Sequence, residues 1–284
     1  MNFGMMTQQS ANTRDLFLEI GKQQCSKQGQ TVCGDLFLSR RHTDESRVIA
    51  VLADGLGSGI KASVLSTLTA SMAAGCVAGN MDIRRAAEVI LAALPVCRER
   101  GLAYSTFTIV DADLANQQAR VIEHENPRFL LVRDNRTVKK EADHIPISSR
   151  NISSRHHELL YSSFDLQEGD RLVLFSDGIA QAGLGDSDQH GAWRAQQAAD
   201  NVLNTVQRET RISAQNLAGK IMQRALSKDR FSPKDDMTCA VLYYRQTRHL
   251  LVATGPPYET ENDAVMAQKV KSFNGRRLIC GGTT

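Results

Sequence analysis

Several features that define common protein classes are missing from this chain of 284 residues. The six cysteines show neither CxxC spacing nor the density of a disulfide-stabilised secreted domain, which favours reduced thiols. The histidines form no cluster with zinc-ligand spacing. Net charge is only +3, with Lys and Arg scattered along the chain, so the composition does not indicate binding to nucleic acid.

Membrane-spanning segments and signal peptides are also not predicted from the sequence. No apolar run is predicted to reach the length of a membrane span, and the N-terminal residues lack the basic and then apolar regions of a signal peptide. We therefore expect a soluble, cytoplasmic protein with no membrane partner. An apolar content of 42% is enough to build a sizeable core.

What the chain does contain is a recurring pattern in which an apolar strand adjoins an aspartate. Residues 48–53 are apolar and lead into Asp54, which is followed by three glycines at alternate positions. The stretch RLVLFSDG leads in the same way into Asp177, and PKDDMTCAVLYY places Asp235 and Asp236 in front of a third apolar strand. Divalent metal binding is the simplest reason for such carboxylates to meet, because hard cations prefer oxygen ligands.

The order of the predicted elements indicates a layered fold. Strands precede two helices, many short strands follow, and two more helices come before a final strand that ends at Tyr244. Short strands joined by short turns favour antiparallel sheets, which helices can cover on their outer faces. We therefore predict an α+β sandwich of two stacked antiparallel sheets flanked by helices in residues 1–246. Residues 247–284 are interpreted as a C-terminal extension, the start of a small α/β unit that stops in mid-pattern.

The helix predicted after Asp54 carries a stripe of larger apolar residues at four-residue spacing. These residues are Ile60, Val64, Leu68, Met72 and Cys76. A stripe of this kind is typical of a helix face that packs on the core, so we expect these side chains to be buried.

Four motifs in this order resemble a known family. They are GDLF at 34–37, ADGLGSG at 53–59, FSDG at 175–178 and DDMT at 235–238. Over residues 16–245 the chain resembles the stage II sporulation and sigma-regulator branch of the metal-dependent protein phosphatase 2C superfamily. The resemblance implies an αββα sandwich and a phosphoserine/phosphothreonine protein phosphatase. It also implies a bacterial regulatory phosphoprotein as substrate, such as an anti-anti-sigma factor.

The same resemblance assigns a site for two Mn²⁺ or Mg²⁺ ions. Its catalytic carboxylates are Asp35, Asp54, Asp177 and Asp235, with Asp54 in the position that bridges the two ions. The metal ligands are these four aspartates, the backbone carbonyl of Gly55 and, from its position beside Asp235, Asp236. Two such ions can activate a shared water for attack on phosphorus, so no protein nucleophile is required.

The sequence departs from the family pattern in two places, and two alternative functions stay open. The segment EHENPRFLLVRD keeps Asn126 and Pro127 but loses the small residues that precede them in relatives, so substrate preference is expected to differ more than metal binding. No phosphate-binding Arg is evident near Asp35. A catalytically silent module that binds a partner is the main alternative. A nucleotide site at the glycine-rich turn is weakly supported, because the turn lacks GxGxxG spacing. A homodimer is compatible with the sequence.

Overall fold

Two antiparallel sheets are the main elements of the chain. The structure is a computed structural model that describes residues 16–42, 46–94, 96–97, 102–103, 105–146, 158–183 and 195–281. The strands are β1 Leu16–Cys25, β2 Asp35–Arg41, β3 Arg47–Gly55, β4 Val96–Cys97, β5 Leu102–Ala103, β6 Ser105–Asp113, β7 Gln118–His124, β8 Leu130–Arg133, β9 Arg136–Val138, β10 Asp143–Pro146, β11 Glu158–Asp165, β12 Arg171–Phe175, β13 Met237–Gln246, β14 Leu250–Ala253 and β15 Arg276–Ile279. The helices are α1 Gly59–Ala78, α2 Ile83–Ala93, α3 Asp177–Ala180, α4 Ala195–Arg208, α5 Ala214–Lys228 and α6 Asp263–Ser272.

The strands form a sandwich covered by helices on both outer faces. One sheet has the order β1-β13-β12-β8-β9 and the other has the order β10-β11-β7-β6-β3-β2. Residues of α4 and α5 share a core with the first sheet, and residues of α1 and α2 share a core with the second. Every residue of β12 and residues 48–53 of β3 are buried. Strands buried on both faces need a layer on each side, which here is a helix pair outside and the other sheet inside. The predicted αββα sandwich is confirmed.

The buried face of α1 differs from the one predicted over the first half of the helix. The expected core stripe is exposed at Ile60, Val64 and Leu68, with exposed fractions of 72%, 60% and 45%, whereas Met72 and Cys76 are partly buried against the core. The face that packs on β2, β3 and β6 is made mainly of small residues, namely Gly59, Ala62, Ser66, Thr69, Ala70, Ala73, Ala74 and Val77. Small side chains let the helix backbone approach the sheet closely, and the first three large residues of the stripe are left on the outside.

Helix α1 also corrects the prediction that no apolar run reaches the length of a membrane span. Its 20 residues are long and apolar enough to cross a bilayer by length and composition alone. The helix contacts three strands of the six-stranded sheet and shares their core. This placement is that of a core helix in a sandwich.

The predicted order of elements agrees closely with the structure, with a few local differences. Asp82 caps α2, and its carboxylate accepts a hydrogen bond of 2.9 Å from the backbone N–H of Arg84. The sequence patterns did not predict the short helix α3 or the edge strand β10. Both are only four residues long, which is too short for a periodic signal.

Residues 246–281 belong to a second compact unit, separate from residues 18–245. Strands β14 and β15 pair in parallel, with Leu250 opposite Arg276, and α6 lies between them in sequence. Within the described part of this segment only Ala253 is buried. A parallel pair with so little burial is a small β-α-β element rather than the core of a domain.

Candidate metal centre

The β2–β3 hairpin brings two of the predicted aspartates together. Asp35 is the first residue of β2, and Asp54 is the last residue but one of β3. The two are register partners in the antiparallel pair, and residues directly opposite each other on neighbouring strands have Cβ atoms about 5 Å apart. On its other side Asp54 pairs with Thr106 of β6, so it lies between two neighbouring strands. The hairpin register therefore fixes both carboxyl groups at one end of the six-stranded sheet.

The five-stranded sheet contributes the other two aspartates from adjacent strands. Asp177 follows β12 as the first residue of α3, and Asp235 precedes β13. The ladder between these strands continues past β12: Ser176 N–H donates to the Thr238 carbonyl at 3.0 Å, and Thr238 N–H donates to Ser176 Oγ at 2.9 Å. Asp177 and Asp235 consequently lie at the same edge of this sheet.

Two glycines allow the close approach of backbone segments around these residues. A Cβ atom at Gly55 would lie 2.0 Å from the carbonyl oxygen of Ala62, in the first turns of α1. A Cβ atom at Gly178 would lie 2.1 Å from the carbonyl oxygen of Asp236. The Asp-Gly pairs at 54–55 and 177–178 are thus packing requirements, since any side chain there would push the neighbouring segment away from the site.

The charges of the four carboxyl groups act on one another. Burial first, and then the negative charges of Asp35, Asp177 and Asp235, together raise the pKa of Asp54 to about 9. Burial also raises the pKa of Asp177, with the charge of Asp235 as the next cause. Since like charges repel, a cluster of this kind needs a compensating positive charge to be ionised at neutral pH.

Asp35 is the most deeply buried member of the cluster, with only 2% of its surface exposed. Neither of its carboxylate oxygens has a hydrogen-bond partner. Burial raises the pKa of Asp35 to about 6, and the nearby hydroxyl groups of Ser176 and Thr238 limit the rise without making a hydrogen bond of normal geometry. A buried carboxylate without a partner is costly, so this residue is suited to a cation.

The residues present fit hard divalent cations. Carboxylate and carbonyl oxygens are the ligands that Mg²⁺ and Mn²⁺ prefer, and Asp35, Asp54, Asp177, Asp235 and the Gly55 carbonyl supply them. Within the described ranges, no three Asp, Glu, His or Cys side chains are placed so that they could hold a metal ion together. The structure thus brings the four aspartates near one another without a formed metal site, and their assignment as ligands stays a prediction.

Asp236 has a contact that the sequence did not suggest. It is 3% exposed, and its Oδ1 accepts a hydrogen bond of 2.9 Å from the backbone N–H of Lys27 in the β1–β2 loop. Its negative charge contributes to the raised pKa values of Asp35 and Asp177. Asp236 therefore lies beside the cluster with one oxygen already engaged in holding the loop.

Lys27 is a site residue that the sequence reasoning missed. Its Nζ lies 3.9 Å from Asp235 Oδ1, with both side chains partly exposed. No local motif marks this lysine, because the contact depends on how the β1–β2 loop packs against residues 232–236. Gln28 N–H donates to the Pro233 carbonyl at 2.9 Å and confirms that packing. The loop thus supplies a cation at the edge of the carboxylate cluster.

The segment that departs from the family pattern reaches the same end of the six-stranded sheet. Asn126 is nearly buried, and its carboxamide oxygen accepts a hydrogen bond of 2.5 Å from Thr106 Oγ1, next to Asp54. Its amide group donates to Thr108 Oγ1 at 3.2 Å. Glu123 closes the turn by accepting from Phe129 N–H at 2.6 Å. The retained Asn126 therefore supports the strand beside Asp54.

A two-sheet sandwich with acidic residues gathered at the strand ends defines the class of PP2C-type phosphatase domains. The model of the family "Stage II sporulation protein E (SpoIIE)" matches residues 44–245. The chain belongs to this SpoIIE family. No curated protein sequence matches it.

Solved structures share the fold at low sequence identity. The SpoIIE phosphatase domain from Bacillus subtilis is 19% identical with a TM-score of 0.58, covering 84% of this chain and 96% of that one. The RsbU and RsbW domains of Rv1364c from Mycobacterium tuberculosis give 17% identity and a TM-score of 0.62, covering 88% and 66%. RsbX in complex with magnesium gives 18% identity and a TM-score of 0.53, covering 80% and 95%. These likenesses show that the chain shares the fold of these domains.

Proposed function

We propose that this protein is a metal-dependent phosphoserine/phosphothreonine protein phosphatase that acts on a bacterial regulatory phosphoprotein. The observation that carries the proposal is the placement of four aspartates at strand ends. Asp35 and Asp54 are register partners in the β2–β3 pair, and Asp177 and Asp235 adjoin the ends of the neighbouring strands β12 and β13. The proposal also draws on the family match and on the magnesium complex of RsbX. We propose two Mn²⁺ or Mg²⁺ ions as cofactors.

The chain's own residues have separate roles in this proposal. Asp54 and Gly55 hold the centre of the site, while Asp35, Asp177 and Asp235 surround it. The chemistry that divalent cations supply in such a site is activation of a water for attack on phosphorus and neutralisation of the phosphoryl oxygens. Lys27, held near Asp235, is positioned to attract the phosphate dianion, in the role of the phosphate-binding Arg that the sequence lacks.

The test is hydrolysis of p-nitrophenyl phosphate by the manganese-loaded protein and by its Asp54→Asn and Asp177→Asn variants. Loss of a ligand should lower kcat at least 100-fold in each variant, with circular dichroism unchanged. Asp143→Asn is the matched control, because Asp143 is exposed on the edge strand β10. Wild-type rates in both site variants would refute the proposal.

The second candidate is a silent partner-binding module. It is favoured by the finding that, within the described residues, no three Asp, Glu, His or Cys side chains are placed so that they could hold a metal ion. Calorimetric titration with Mn²⁺ separates the two. The phosphatase should bind Mn²⁺ through the aspartates and lose that binding in Asp54→Asn, whereas the silent module should bind no Mn²⁺ at all.

Cytoplasmic location and a homodimeric state remain our proposals. Cys25, Cys33 and Cys239 are not in disulfides, which agrees with a reducing compartment. Cell fractionation tests the location, and light scattering of the purified protein tests the oligomeric state. Recovery in a secreted fraction or a monomeric mass at micromolar concentration would overturn the respective proposal.

A further inference from the structure

The loop between α5 and β13 leads to Asp235 and presents an exposed aromatic side chain four positions before it. Phe231 is 73% exposed. In the described part of residues 18–245, the other large apolar side chains with comparable exposure are the three on α1. Single exposed aliphatic residues are ordinary on protein surfaces, but a largely exposed phenylalanine close in sequence to a candidate site residue is a possible recognition contact.

The backbone of this loop has an unusual conformation. Arg230 and Phe231 have φ values of +53° and +60°, in the left-handed region that favours glycine. Phe231 N–H donates to the Leu226 carbonyl at 2.7 Å, and Arg230 N–H donates to the Ser227 carbonyl at 3.3 Å. These two bonds are those of a Schellman motif, which usually has glycine where this chain has Arg230.

The motif usually gains a hydrophobic contact between its last residue and the preceding helical turn. Here that last residue is Phe231, and its exposure shows that most of the ring does not pack on the helix. A bulky residue in a left-handed conformation is strained, and strain of this kind persists at functional sites when the surrounding structure holds it. The fold therefore gains little from this phenylalanine.

The loop is held rigidly by a buried carboxylate. Asp229 is 4% exposed, and it accepts hydrogen bonds from Gly183 N–H at 2.6 Å and from Lys234 N–H at 3.1 Å. Its own carbonyl accepts from Ser232 N–H at 2.9 Å. An aromatic side chain on a pre-organised loop binds a partner with a small entropic cost.

The distance from Phe231 to the candidate site is limited by the chain itself. Phe231 lies four positions before Asp235. An extended chain of that length spans at most about 14 Å between the two Cα atoms. A residue up to about four positions from a phosphoserine lies within the same distance of its phosphate. The ring and the phosphoryl group of one substrate segment can thus be held at the same time.

We propose that Phe231 is a specificity-determining residue that contacts an apolar side chain of the phosphoprotein substrate within about four residues of the phosphorylated serine or threonine. This inference rests on the phosphatase function proposed above. It identifies the substrate by chemistry, as a segment in which apolar residues flank the phosphate.

The test compares two phosphoserine dodecapeptides that differ only at the second to fourth positions on each side of the phosphoserine. One peptide has leucine at these positions and the other has asparagine. Manganese-loaded wild type should show about tenfold higher kcat/KM for the leucine peptide, mainly through a lower KM. Phe231→Asn should reduce this ratio to about twofold or less, because asparagine tolerates the left-handed conformation but lacks the ring.

Three controls separate recognition from folding. Phe231→Tyr keeps the ring and should keep the tenfold ratio. Tyr258→Asn removes an exposed aromatic side chain of the C-terminal unit and should also keep it. All variants should hydrolyse p-nitrophenyl phosphate at the wild-type rate, and Phe231→Asn should melt at the wild-type temperature or higher.

The outcomes distinguish this inference from the function on which it rests. An unchanged peptide ratio in Phe231→Asn, or a proportional loss with p-nitrophenyl phosphate, would overturn the contact and leave the phosphatase proposal standing. A wild-type protein that hydrolyses neither peptide nor p-nitrophenyl phosphate would overturn both.

Discussion

Replacing Asp54 with asparagine should stabilise the metal-free protein at alkaline pH. The pKa of Asp54 is raised from 3.8 to about 9 in the fold, through burial and the charges of Asp35, Asp177 and Asp235. Between these two values the folded state binds a proton that the unfolded state has released. Asp54 therefore contributes stability at low pH, and this contribution is lost as the pH rises from about 4 toward 9.

The size of the effect follows from proton linkage. One extra bound proton changes the free energy of unfolding by about 1.4 kcal/mol per pH unit, or about 4 kcal/mol between pH 5 and pH 8. Neighbouring aspartates take up part of the charge, so the loss should fall between about 2 and 4 kcal/mol. The asparagine side chain carries no titrating proton, so the Asp54→Asn variant should lose less stability over the same range.

Urea unfolding in EDTA at pH 5, 6, 7 and 8 measures this difference. Wild type and Asp54→Asn should have similar midpoints at pH 5 and separate progressively toward pH 8, with Asp143→Asn following wild type. Addition of MnCl₂ at pH 8 should restore wild type and have a smaller effect on Asp54→Asn, because a ligand stabilises only the state that binds it. Parallel stability curves for the two proteins would show that Asp54 does not lie in a repulsive cluster.

Two further predictions concern buried carboxylates away from the cluster. Burial raises the pKa of Glu123 from 4.5 to about 7, so its stabilising contribution is lost as the pH rises through that range. Glu123→Gln should therefore raise the free energy of unfolding by about 2 kcal/mol at pH 8 and leave it unchanged at pH 4.5. Equal gains at both pH values would contradict this origin. Asp111→Asn should lower the free energy of unfolding in urea by about 3 kcal/mol, because Arg47 and Arg120 both lie within 2.7 Å of the Asp111 carboxylate and would lose their shared partner. A decrease below about 1 kcal/mol would show that these two ion pairs contribute little.

The layered fold could be predicted because its strands carry a signal in their own residues. Strand β3 is an apolar run that ends at an Asp-Gly pair, and β12 repeats the pattern. The order of such runs and of the helices between them determines which layers can form. Asp54, Asp177 and Asp235 were found for the same reason, since each adjoins a strand end, whereas Asp35 was assigned through the family resemblance.

The buried face of α1 could not be predicted from large apolar residues. Ala62, Ala70 and Ala73 face the sheet, and alanine gives almost no contrast in a periodicity pattern. Ser66 and Thr69 are buried among them, with their hydroxyl groups satisfied by carbonyls of the same helix at 3.1 Å and 2.8 Å. Close packing of backbone on a sheet selects small residues, and the sequence alone does not show where it occurs.

Lys27 and Phe231 could not be predicted for a different reason. Neither lies in a repeated pattern. Lys27 gains its position from a contact with a distant segment, in which its N–H donates to Asp236 Oδ1. The left-handed conformation of Phe231 is likewise imposed by the way its helix ends. Loop residues of this kind become visible only once the chain is folded.

The pairing of Asp35 with Asp54 also bears on how the protein can change during evolution. The two carboxyl groups are aligned by the ladder that runs from this pair back to Arg41 and Val48. Extra residues placed between Arg41 and Arg47 would lengthen the far end of the hairpin and leave the register of all the β2–β3 residue pairs unchanged. A single residue inserted inside β2 would turn Asp35 to the opposite face of the sheet. Insertions can therefore accumulate during evolution in the connection between β2 and β3, whereas the end of the hairpin with Asp35 and Asp54 tolerates no change in spacing.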